Sequence, residues 1–182
     1  MAATCLVVMG VSGAGKSTVA AALAHRLGWI MAEADEFHPA ANVERMTAGI
    51  PLTDADRGPW LRALRDWITG RADGGTDTVV ACSALKRSYR DILRESSARV
   101  RFVHLRGEPD LIVRRLSGRS GHFMPSSLLD SQFHDLEDLA PDEDGIRVDL
   151  GLGPDEIADT ALSRLGLSPG SGSTGPGTPP PG

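Results

Sequence analysis

The sequence GVSGAGKST, from Gly10 to Thr18, constrains the fold of this chain more than any other feature. It matches the pattern G-x-x-x-x-G-K-[ST] in full, and it lies between an apolar run and a helical pattern, which is the context of a phosphate-binding loop. Its three glycines allow the backbone to turn so tightly that successive N–H groups face phosphate oxygens. The sequence therefore predicts a nucleoside triphosphate site at the amino terminus of the first helix.

Individual positions in this loop have separate predicted roles. Lys16 is expected to reach the β- and γ-phosphates, and the hydroxyl of Ser17 is expected to ligate Mg²⁺. The segment that binds the nucleotide consists of Gly10, Val11, Ser12, Gly13, Ala14, Gly15, Lys16, Ser17 and Thr18. The chain has 17 arginines but only two lysines, Lys16 and Lys86. Because arginine can supply positive charge wherever charge alone is needed, both lysines are candidate functional residues.

Short apolar runs alternate with helical patterns along the rest of the chain. The apolar runs have the length and character of strands buried on both faces; they cover residues 4–9, 29–32, 78–83, 100–105 and 145–150. The helical patterns cover residues 16–27, 39–49, 57–70, 86–96, 109–118, 126–140 and 154–165. Five strands separated by helices predict an α/β fold with a parallel sheet and helices on both faces.

An acidic cluster follows the second predicted strand, in the sequence EADEFHP. Because ligands of parallel sheets lie beyond the carboxyl ends of the strands, this cluster and Ser83 should share one crevice with the phosphate loop. A kinase needs a carboxylate that can orient or deprotonate the attacking hydroxyl, and Asp35 is our candidate. Glu33 lies on the same side if the strand extends through Asp35, and it could support Mg²⁺ through water.

Four segments together carry a resemblance to a known family, and the last three are far more specific than the phosphate loop. They are GVSGAGKS, DEFHPAANVERMTAGIPLTDADRGPWL, CSALKRSYRDILR and RSGHFMPSSLLDSQFHDLE. Together they resemble the gluconate kinase (gluconokinase) family of P-loop small-molecule kinases, over about residues 4–165. The resemblance implies a fold like that of shikimate and adenylate kinases, a homodimer, and transfer of the γ-phosphoryl group of ATP to the 6-hydroxyl of D-gluconate. One position departs from the family pattern, because Ala34 stands where glycine is usual.

Gluconate is a short polyol with a carboxylate, so its pocket needs one or two cations and several hydrogen-bonding groups. Candidate partners of the carboxylate are Arg57, Lys86 and Arg90. His38 and Asn42 are candidates for binding the hydroxyls, and Ser83 and His122 are further substrate-binding candidates. His38 could instead cap a helix, and the two arginines could be surface residues.

The segment RRLSGRSGHFMP, residues 114–125, is predicted to be a lid. Two glycines interrupt a basic stretch there, so that the segment could close over ATP and place guanidinium groups on the transferring phosphates. Arg115 and Arg119 are candidate ATP-binding residues, and Arg119 is also a catalytic candidate. The kinase domain is expected to span residues 1–167. Residues 168–182 are expected to form a disordered tail, because they offer almost no side chains to bury.

Composition and missing motifs argue against several other classes of protein. The net charge of −5 does not suit a nucleic-acid-binding protein, and no apolar run approaches the ~20 residues that span a bilayer. Neither Cys5 nor Cys82 has zinc-ligand spacing to another cysteine or histidine, and two thiols in apolar runs suit a reducing compartment. The amino terminus lacks the basic region of a signal peptide. We expect a cytoplasmic protein.

Two alternatives stand beside the gluconate kinase hypothesis: a motor-like P-loop ATPase or GTPase-type switch, and a kinase of the same fold with another acceptor. A GTPase-type switch would need an N-K-x-D-type stretch, but the single asparagine, Asn42, is followed by Val-Glu-Arg. A shikimate-, nucleoside- or nucleotide-directed kinase on the same scaffold stays open, and Arg87 or Arg90 could bind the phosphate of a nucleotide acceptor. Trp60 and Trp67, spaced with Leu61 and Leu64 on one helix face, are interpreted as core residues.

Overall fold

The computed structural model describes residues 2–117 and 126–169, with side chains described for residues 2–114 and 129–169. Most of the predicted lid and almost all of the predicted tail therefore lie outside the described residues. Arg119 and His122 also lie outside them. Arg115 lies within a described helix, but its side chain is not among those described.

Five strands and seven α-helices form the described part of the chain. The strands are β1 (Thr4–Met9), β2 (Ile30–Glu33), β3 (Thr78–Ala81), β4 (Arg99–Arg106) and β5 (Gly145–Asp149). The helices are α1 (Lys16–Leu27), α2 (Ala40–Thr47), α3 (Asp54–Asp73), α4 (Arg87–Arg94), α5 (Pro109–Ser117), α6 (Ser126–Asp135) and α7 (Pro154–Leu165). No helix within residues 2–117 and 126–169 is both long enough and apolar enough to cross a membrane.

All strand pairs are parallel, in the order β2-β3-β1-β4-β5. This arrangement confirms the predicted five-stranded parallel sheet. The central strand β1 is buried from Cys5 to Met9, as its unbroken apolar sequence predicts. Helices α1 and α7 pack against each other and against the sheet, and α3 packs against α4. The sheet order places the ends of β2 and β3 beside the phosphate loop that follows β1.

The main local difference from the sequence prediction lies at the end of β2. The strand ends at Glu33, and residues Ala34–Phe37 form a 3₁₀ turn. The alternation of a strand therefore does not extend through Asp35. Ala34 is fully buried, and its backbone carbonyl accepts a hydrogen bond from Nε1 of Trp60 at 2.7 Å. This contact anchors the turn that carries the acidic cluster.

Helix α3 is longer than its hydrophobic pattern predicts, because a capping box fixes its start. The amide of Asp56 donates to the hydroxyl of Thr53, and the amide of Thr53 donates to the carboxylate of Asp56. These reciprocal bonds satisfy two backbone donors that the first turn of a helix otherwise leaves unpaired. The cap places Arg57 one residue after the box, facing the end of the sheet.

Candidate active site

The phosphate loop has the backbone that its glycines predict. Gly10, Gly13 and Gly15 have φ values of 149°, 84° and 91°. Residues other than glycine rarely adopt such backbone conformations. A Cβ atom on Gly10 would also lie 2.9 Å from the carbonyl oxygen of Leu105. The loop therefore needs glycine at this position both for its conformation and for its close approach to β4.

Lys16 lies inside the curve of this loop. Its Nζ donates to the carbonyl oxygens of Gly10 and Val11, at 3.0 and 3.2 Å. Desolvation lowers the pKa of Lys16, while the nearby carboxylates of Asp35 and Glu33 oppose that shift. A phosphate group bound at the loop would add further negative charge beside this ammonium group. Ser17 and Thr18, at the start of α1, are exposed to solvent.

The ends of β1 and β3 are joined by backbone hydrogen bonds just beyond the sheet. The amide of Gly10 donates to the carbonyl of Ser83 at 3.4 Å, and the amide of Cys82 donates to the carbonyl of Val8 at 3.0 Å. One cavity opens at this edge. Its polar lining consists of Ser12, Lys16, Asp35, His38, Arg57, Ser83, Ser131 and Gln132. The structure thus brings together five of the residues predicted for catalysis and substrate binding: Lys16, Asp35, His38, Arg57 and Ser83.

Asp35 and His38 face each other across the 3₁₀ turn. The side chain of Asp35 is 88% exposed, and its Oδ1 lies 4.0 Å from Nε2 of His38. The imidazole is only 3% exposed, because it stacks on the indole of Trp60 with a centroid distance of 4.1 Å. Trp60 is buried, as the sequence predicts, and it also forms a wall of the cavity. An accessible carboxylate therefore lies beside a fixed imidazole.

Arg57 supplies positive charge to this cavity. Its Nη1 donates to the hydroxyl of Tyr89 at 2.7 Å and to the carboxylate of Asp135 at 3.1 Å. Both bonds use the same nitrogen, and together they hold the guanidinium group in a fixed orientation. Tyr89 in turn donates to Asp54 at the start of α3. The arginine is buried but lines the cavity, so it is not the surface residue that its type alone would suggest.

Asn42 and Lys86 do not line this cavity. Asn42 is buried, and its Nδ2 contacts His38 and the backbone carbonyl of Asp56. Lys86 donates to the carboxylate of Asp54 at 3.1 Å in a partly exposed ion pair. The structure therefore gives neither residue the direct substrate contact that the sequence prediction assigned to it.

The prediction that Arg90 binds the substrate carboxylate is wrong. Arg90 is fully buried, and its Nε and Nη2 donate to the two carboxylate oxygens of Glu143 at 2.7 and 3.0 Å. Its Nη1 donates to the carbonyl oxygens of Ala84 and Leu85, at 2.9 and 3.2 Å. All three nitrogens therefore have partners inside the protein. The same placement removes Arg90 as a candidate for binding a nucleotide acceptor.

Arg90 instead supports the turn that follows β3. Ala84 has a φ of 42°, a left-handed conformation that costs an alanine on the order of 1 kcal/mol. The guanidinium group of Arg90 holds the carbonyl of this residue, directly after Ser83 at the cavity wall. Burial by itself would raise the pKa of Glu143, but its bonds from Arg90 and from the Ala140 amide outweigh burial and lower that pKa to about 2.

We predict that Glu143→Gln destabilises the protein by about 3–5 kcal/mol at pH 7, because it leaves the Arg90 guanidinium buried without its counter-charge. Urea unfolding would measure the change. Asp142→Asn is the matched control, because the neighbouring Asp142 also binds an arginine, Arg87, with both oxygens but does so at the surface. An exposed pair contributes only ~0–1 kcal/mol. Equal losses of unfolding free energy in the two variants would contradict the idea that burial makes the Arg90–Glu143 ion pair critical for stability.

The same ion pair predicts a pH dependence of stability. The pKa of Glu143 is lower in the folded protein than its ordinary value, so its contribution is present above that ordinary value and is lost as pH falls toward about 2. Unfolding free energy measured between pH 5 and pH 3 should therefore fall more steeply for the wild type than for Glu143→Gln. Parallel curves would contradict this prediction.

A second and larger cavity, of about 910 Å³, adjoins the phosphate loop at Val11. Its walls come from the ends of β4 and β5, from the segments that follow these strands, and from α5 and α6; they include Arg106, Gly107, Pro109, Arg114, Phe133, Asp149 and Gly151. The sequence analysis did not identify this cavity, because most of its residues lie outside the sequence motifs and come together only in the fold. Its position beside the loop suits the nucleoside part of a nucleotide whose phosphates lie on the loop.

Gln132 is another site residue that the sequence analysis did not single out. Its Oε1 accepts a hydrogen bond from the amide of Ser12 at 2.7 Å, which ties helix α6 to the phosphate loop. Ser131 and Gln132 both line the smaller cavity. The only available signal was their place in the segment SSLLDSQFHDLE, which belongs to one of the four specific segments.

The oxygen donors at this edge are compatible with Mg²⁺ bound together with phosphates. Mg²⁺ in such sites typically takes one or two protein oxygens and completes its shell with phosphate oxygens and water. Ser17 lies at the start of α1, and Glu33 and Asp35 lie close enough to influence Lys16. Among the described residues, no group of three or more histidines, cysteines or carboxylates could hold a metal by itself. The donor set thus suits a nucleotide-associated cation.

Comparison with known proteins places this architecture among small-molecule kinases. A family model described as "AAA domain" matches residues 6–139. A gluconokinase from Gluconobacter oxydans (strain 621H) is 51% identical over 160 residues, which cover 88% of this chain and 90% of that relative.

Two solved structures are similar over almost the whole chain. An unliganded sugar kinase from Janibacter sp. HTCC2649 has a TM-score of 0.88 and 51% identity, covering 92% of this chain and 96% of that one. A gluconokinase from Sinorhizobium meliloti 1021 has a TM-score of 0.81 and 46% identity, covering 90% of this chain and 91% of that one. Both the sequence and the fold are thus similar to those of gluconokinases.

Proposed function

Because this chain belongs to the gluconokinase family, we propose that it transfers the γ-phosphoryl group of ATP to the 6-hydroxyl of D-gluconate. The products are 6-phospho-D-gluconate and ADP. The observation that carries this proposal is one cavity that holds Lys16 of the phosphate loop, the accessible carboxylate of Asp35 and the guanidinium group of Arg57. A phosphate-binding cation, a hydroxyl-orienting carboxylate and a carboxylate-binding cation are the three groups that this reaction needs.

Each of these residues has a distinct role in the proposed reaction. The loop amides and Lys16 bind the β- and γ-phosphates and stabilise the charge that develops during transfer. Asp35 accepts a hydrogen bond from the 6-hydroxyl and can take its proton as the new oxygen–phosphorus bond forms. The bond between the γ-phosphorus and the bridging oxygen breaks, and ADP carries that oxygen away.

Arg57 binds the carboxylate of gluconate in this proposal. Its Nη1 bonds to Tyr89 and Asp135 fix the guanidinium group, so that little side-chain entropy is lost when the substrate binds. Among the residues that line this cavity in the described part of the chain, Arg57 is the only arginine. One arginine suits a single carboxylate better than the more highly charged phosphate of a nucleotide acceptor.

The remaining roles complete the proposal. The nucleoside of ATP occupies the 910 Å³ cavity beside Val11. Ser17 would ligate Mg²⁺, with Glu33 supporting it through water, and the ion would neutralise phosphate charge. Arg115 and Arg119, in the predicted lid, bind ATP, and His122 binds substrate. The family resemblance supports a homodimer, and the expected compartment is the cytoplasm.

A coupled ADP-release assay over a panel of acceptors tests this function. The panel contains D-gluconate, related sugar acids, shikimate and nucleosides, each with ATP and Mg²⁺. We expect acceptor-dependent turnover with D-gluconate at a kcat/KM well above that of every other compound, and phosphorus NMR of the product should show a phosphate monoester at carbon 6. A preference for shikimate or a nucleoside would overturn the proposal, as would ATP hydrolysis that no acceptor accelerates.

A further inference from the structure

His38 lines the cavity and is hydrogen-bonded to Asn42, which lies behind it. The imidazole is held between the indole of Trp60 and the carboxylate of Asp35, and it lines the cavity. Asn42, one turn later, is 4% exposed and does not line the cavity. The buried amide therefore acts through the imidazole rather than on a ligand.

The orientation of the Asn42 amide follows from its hydrogen bonds. One side-chain atom lies 2.9 Å from the backbone carbonyl of Asp56 and 3.3 Å from Nδ1 of His38. Because a carbonyl oxygen can only accept, that atom must be the nitrogen, Nδ2. The capping box at Thr53 and Asp56 fixes the carbonyl in turn. The amide therefore presents a hydrogen to Nδ1 of the imidazole.

A donor at Nδ1 determines where the imidazole carries its own hydrogen. Nδ1 must offer a lone pair to Asn42, so the neutral ring carries its hydrogen on Nε2. Resting on the function proposed above, we infer that Asn42 locks His38 as a neutral Nε2–H donor, and that this N–H and Asp35 together orient the hydroxyl of the acceptor that is phosphorylated. Asn42 is thus a positioning residue, and His38 binds the substrate.

The separation of the two groups suits one bridging hydroxyl. Nε2 of His38 and Oδ1 of Asp35 are 4.0 Å apart, too far for a direct hydrogen bond. An oxygen about 2.8 Å from each would fit between them, accepting from Nε2–H and donating to the carboxylate. A hydroxyl has one hydrogen and two lone pairs, so these two bonds leave a single lone pair for attack on phosphorus. The hydrogen and the other lone pair of the hydroxyl are both held by the protein, so the orientation of the nucleophile is fixed.

The charges around His38 are compatible with a neutral ring. Desolvation lowers its pKa, Asp35 on the 3₁₀ turn raises it, and Arg57 on α3 lowers it, with a net lowering. From α2 the facing group is the neutral Asn42, and from α3 it is also the neutral Trp60. If Nδ1 were protonated, its N–H would face the N–H of Asn42 Nδ2, and no hydrogen bond could form between them. Both the amide and the local charges therefore oppose the imidazolium form.

The tautomer can be measured independently of activity. ¹⁵N-detected NMR of the full chain without ligands, with His38→Gln used to assign the signal, reports which ring nitrogen carries hydrogen. At pH 7 we expect a protonated Nε2 and an unprotonated Nδ1 for His38. A ring protonated on Nδ1, alone or together with Nε2, would overturn the inference. This measurement decides the tautomer even if the wild type shows no gluconate-dependent turnover, which would instead overturn the proposed function.

Two substitutions of His38 test the role of the N–H group. Glutamine can place an amide N–H near the position of Nε2, whereas the shorter asparagine can replace only Nδ1. We expect kcat/KM for gluconate to fall about tenfold further in His38→Asn than in His38→Gln, the effect of about one hydrogen bond. The KM for ATP should stay within twofold of wild type in both. Equal losses would overturn the role of the donor.

Asn42→Asp tests the lock itself. A carboxylate at this position would accept from Nδ1 and favour the imidazolium ring, so the pKa of His38 would rise. The neutral ring of this variant carries its hydrogen on Nδ1 and leaves Nε2 without one, whereas the imidazolium keeps Nε2–H. The kcat/KM of Asn42→Asp for gluconate, divided by that of the wild type, should therefore fall as pH rises through the raised pKa of His38, while unfolding at pH 7 shows whether the variant is folded. A ratio that does not change with pH in a folded variant would overturn the inference. If the variant does not fold, the NMR result and the two His38 variants decide the question.

Discussion

Lys16→Met is expected to reduce gluconate-dependent turnover by at least 100-fold while leaving the fold intact. Nζ of Lys16 lies within the phosphate loop, where it would contact the transferring phosphoryl group. Removing one charge-assisted contact to developing charge costs ~3 kcal/mol or more of transition-state stabilisation. Methionine keeps the length and apolar stem of the side chain, so thermal unfolding should change little. Steady-state kinetics and a melting curve on the same preparation measure both quantities.

The second lysine of the chain provides the matched control. Lys86→Met also replaces an ammonium group, but Lys86 binds Asp54 and does not line the cavity. We expect less than a threefold change in kcat for this variant, since a partly exposed ion pair contributes only ~0–1 kcal/mol. The interpretation of the phosphate loop would fail if Lys16→Met kept more than a tenth of wild-type turnover. A comparable loss in Lys86→Met would show that charge at this end of the sheet acts non-specifically.

Asp35→Asn is expected to lower kcat by about 10²–10⁴-fold, the usual contribution of a general base. Asparagine keeps the size of the side chain and one acceptor oxygen, but it loses the negative charge and the basicity. ATP affinity should change little, because the phosphate loop binds the triphosphate through separate groups. Kinetics with gluconate as the varied substrate, together with direct ATP binding by calorimetry, would separate the two effects.

Glu36→Gln is the control for this prediction. Glu36 follows Asp35 in the same 3₁₀ turn and is exposed, but it does not line the cavity. Its loss of charge should therefore change kcat only slightly. Equal losses of kcat in the two variants would mean that the acidic cluster acts through the combined electrostatic field of its carboxylates and that Asp35 has no specific role. An unchanged kcat in Asp35→Asn would mean that the cluster is a solvated turn without a role in phosphoryl transfer.

Features that depend on residues close together in the sequence could be predicted from the sequence alone. The phosphate loop is specified by the spacing of its glycines and by the strand and helix on either side of it. Unbroken apolar runs of strand length predicted a buried parallel sheet, because only such a sheet covers both faces of every central strand. That sheet order in turn carried Asp35 and Ser83 to the edge where Lys16 lies. Residue type, period and chain direction were sufficient for these conclusions.

Only the tertiary structure decided which arginine reaches the cavity. Arg57 and Arg90 are both buried, yet Arg57 lines the cavity, while every nitrogen of Arg90 binds within the protein. Both have a carboxylate partner that is distant in sequence, but Asp135 binds only Nη1 of Arg57, whereas Glu143 binds both Nε and Nη2 of Arg90. Whether a buried charge is available to a ligand depends on the partners that the fold brings to it, because an unpaired buried charge is too costly to persist. No local pattern encodes that pairing.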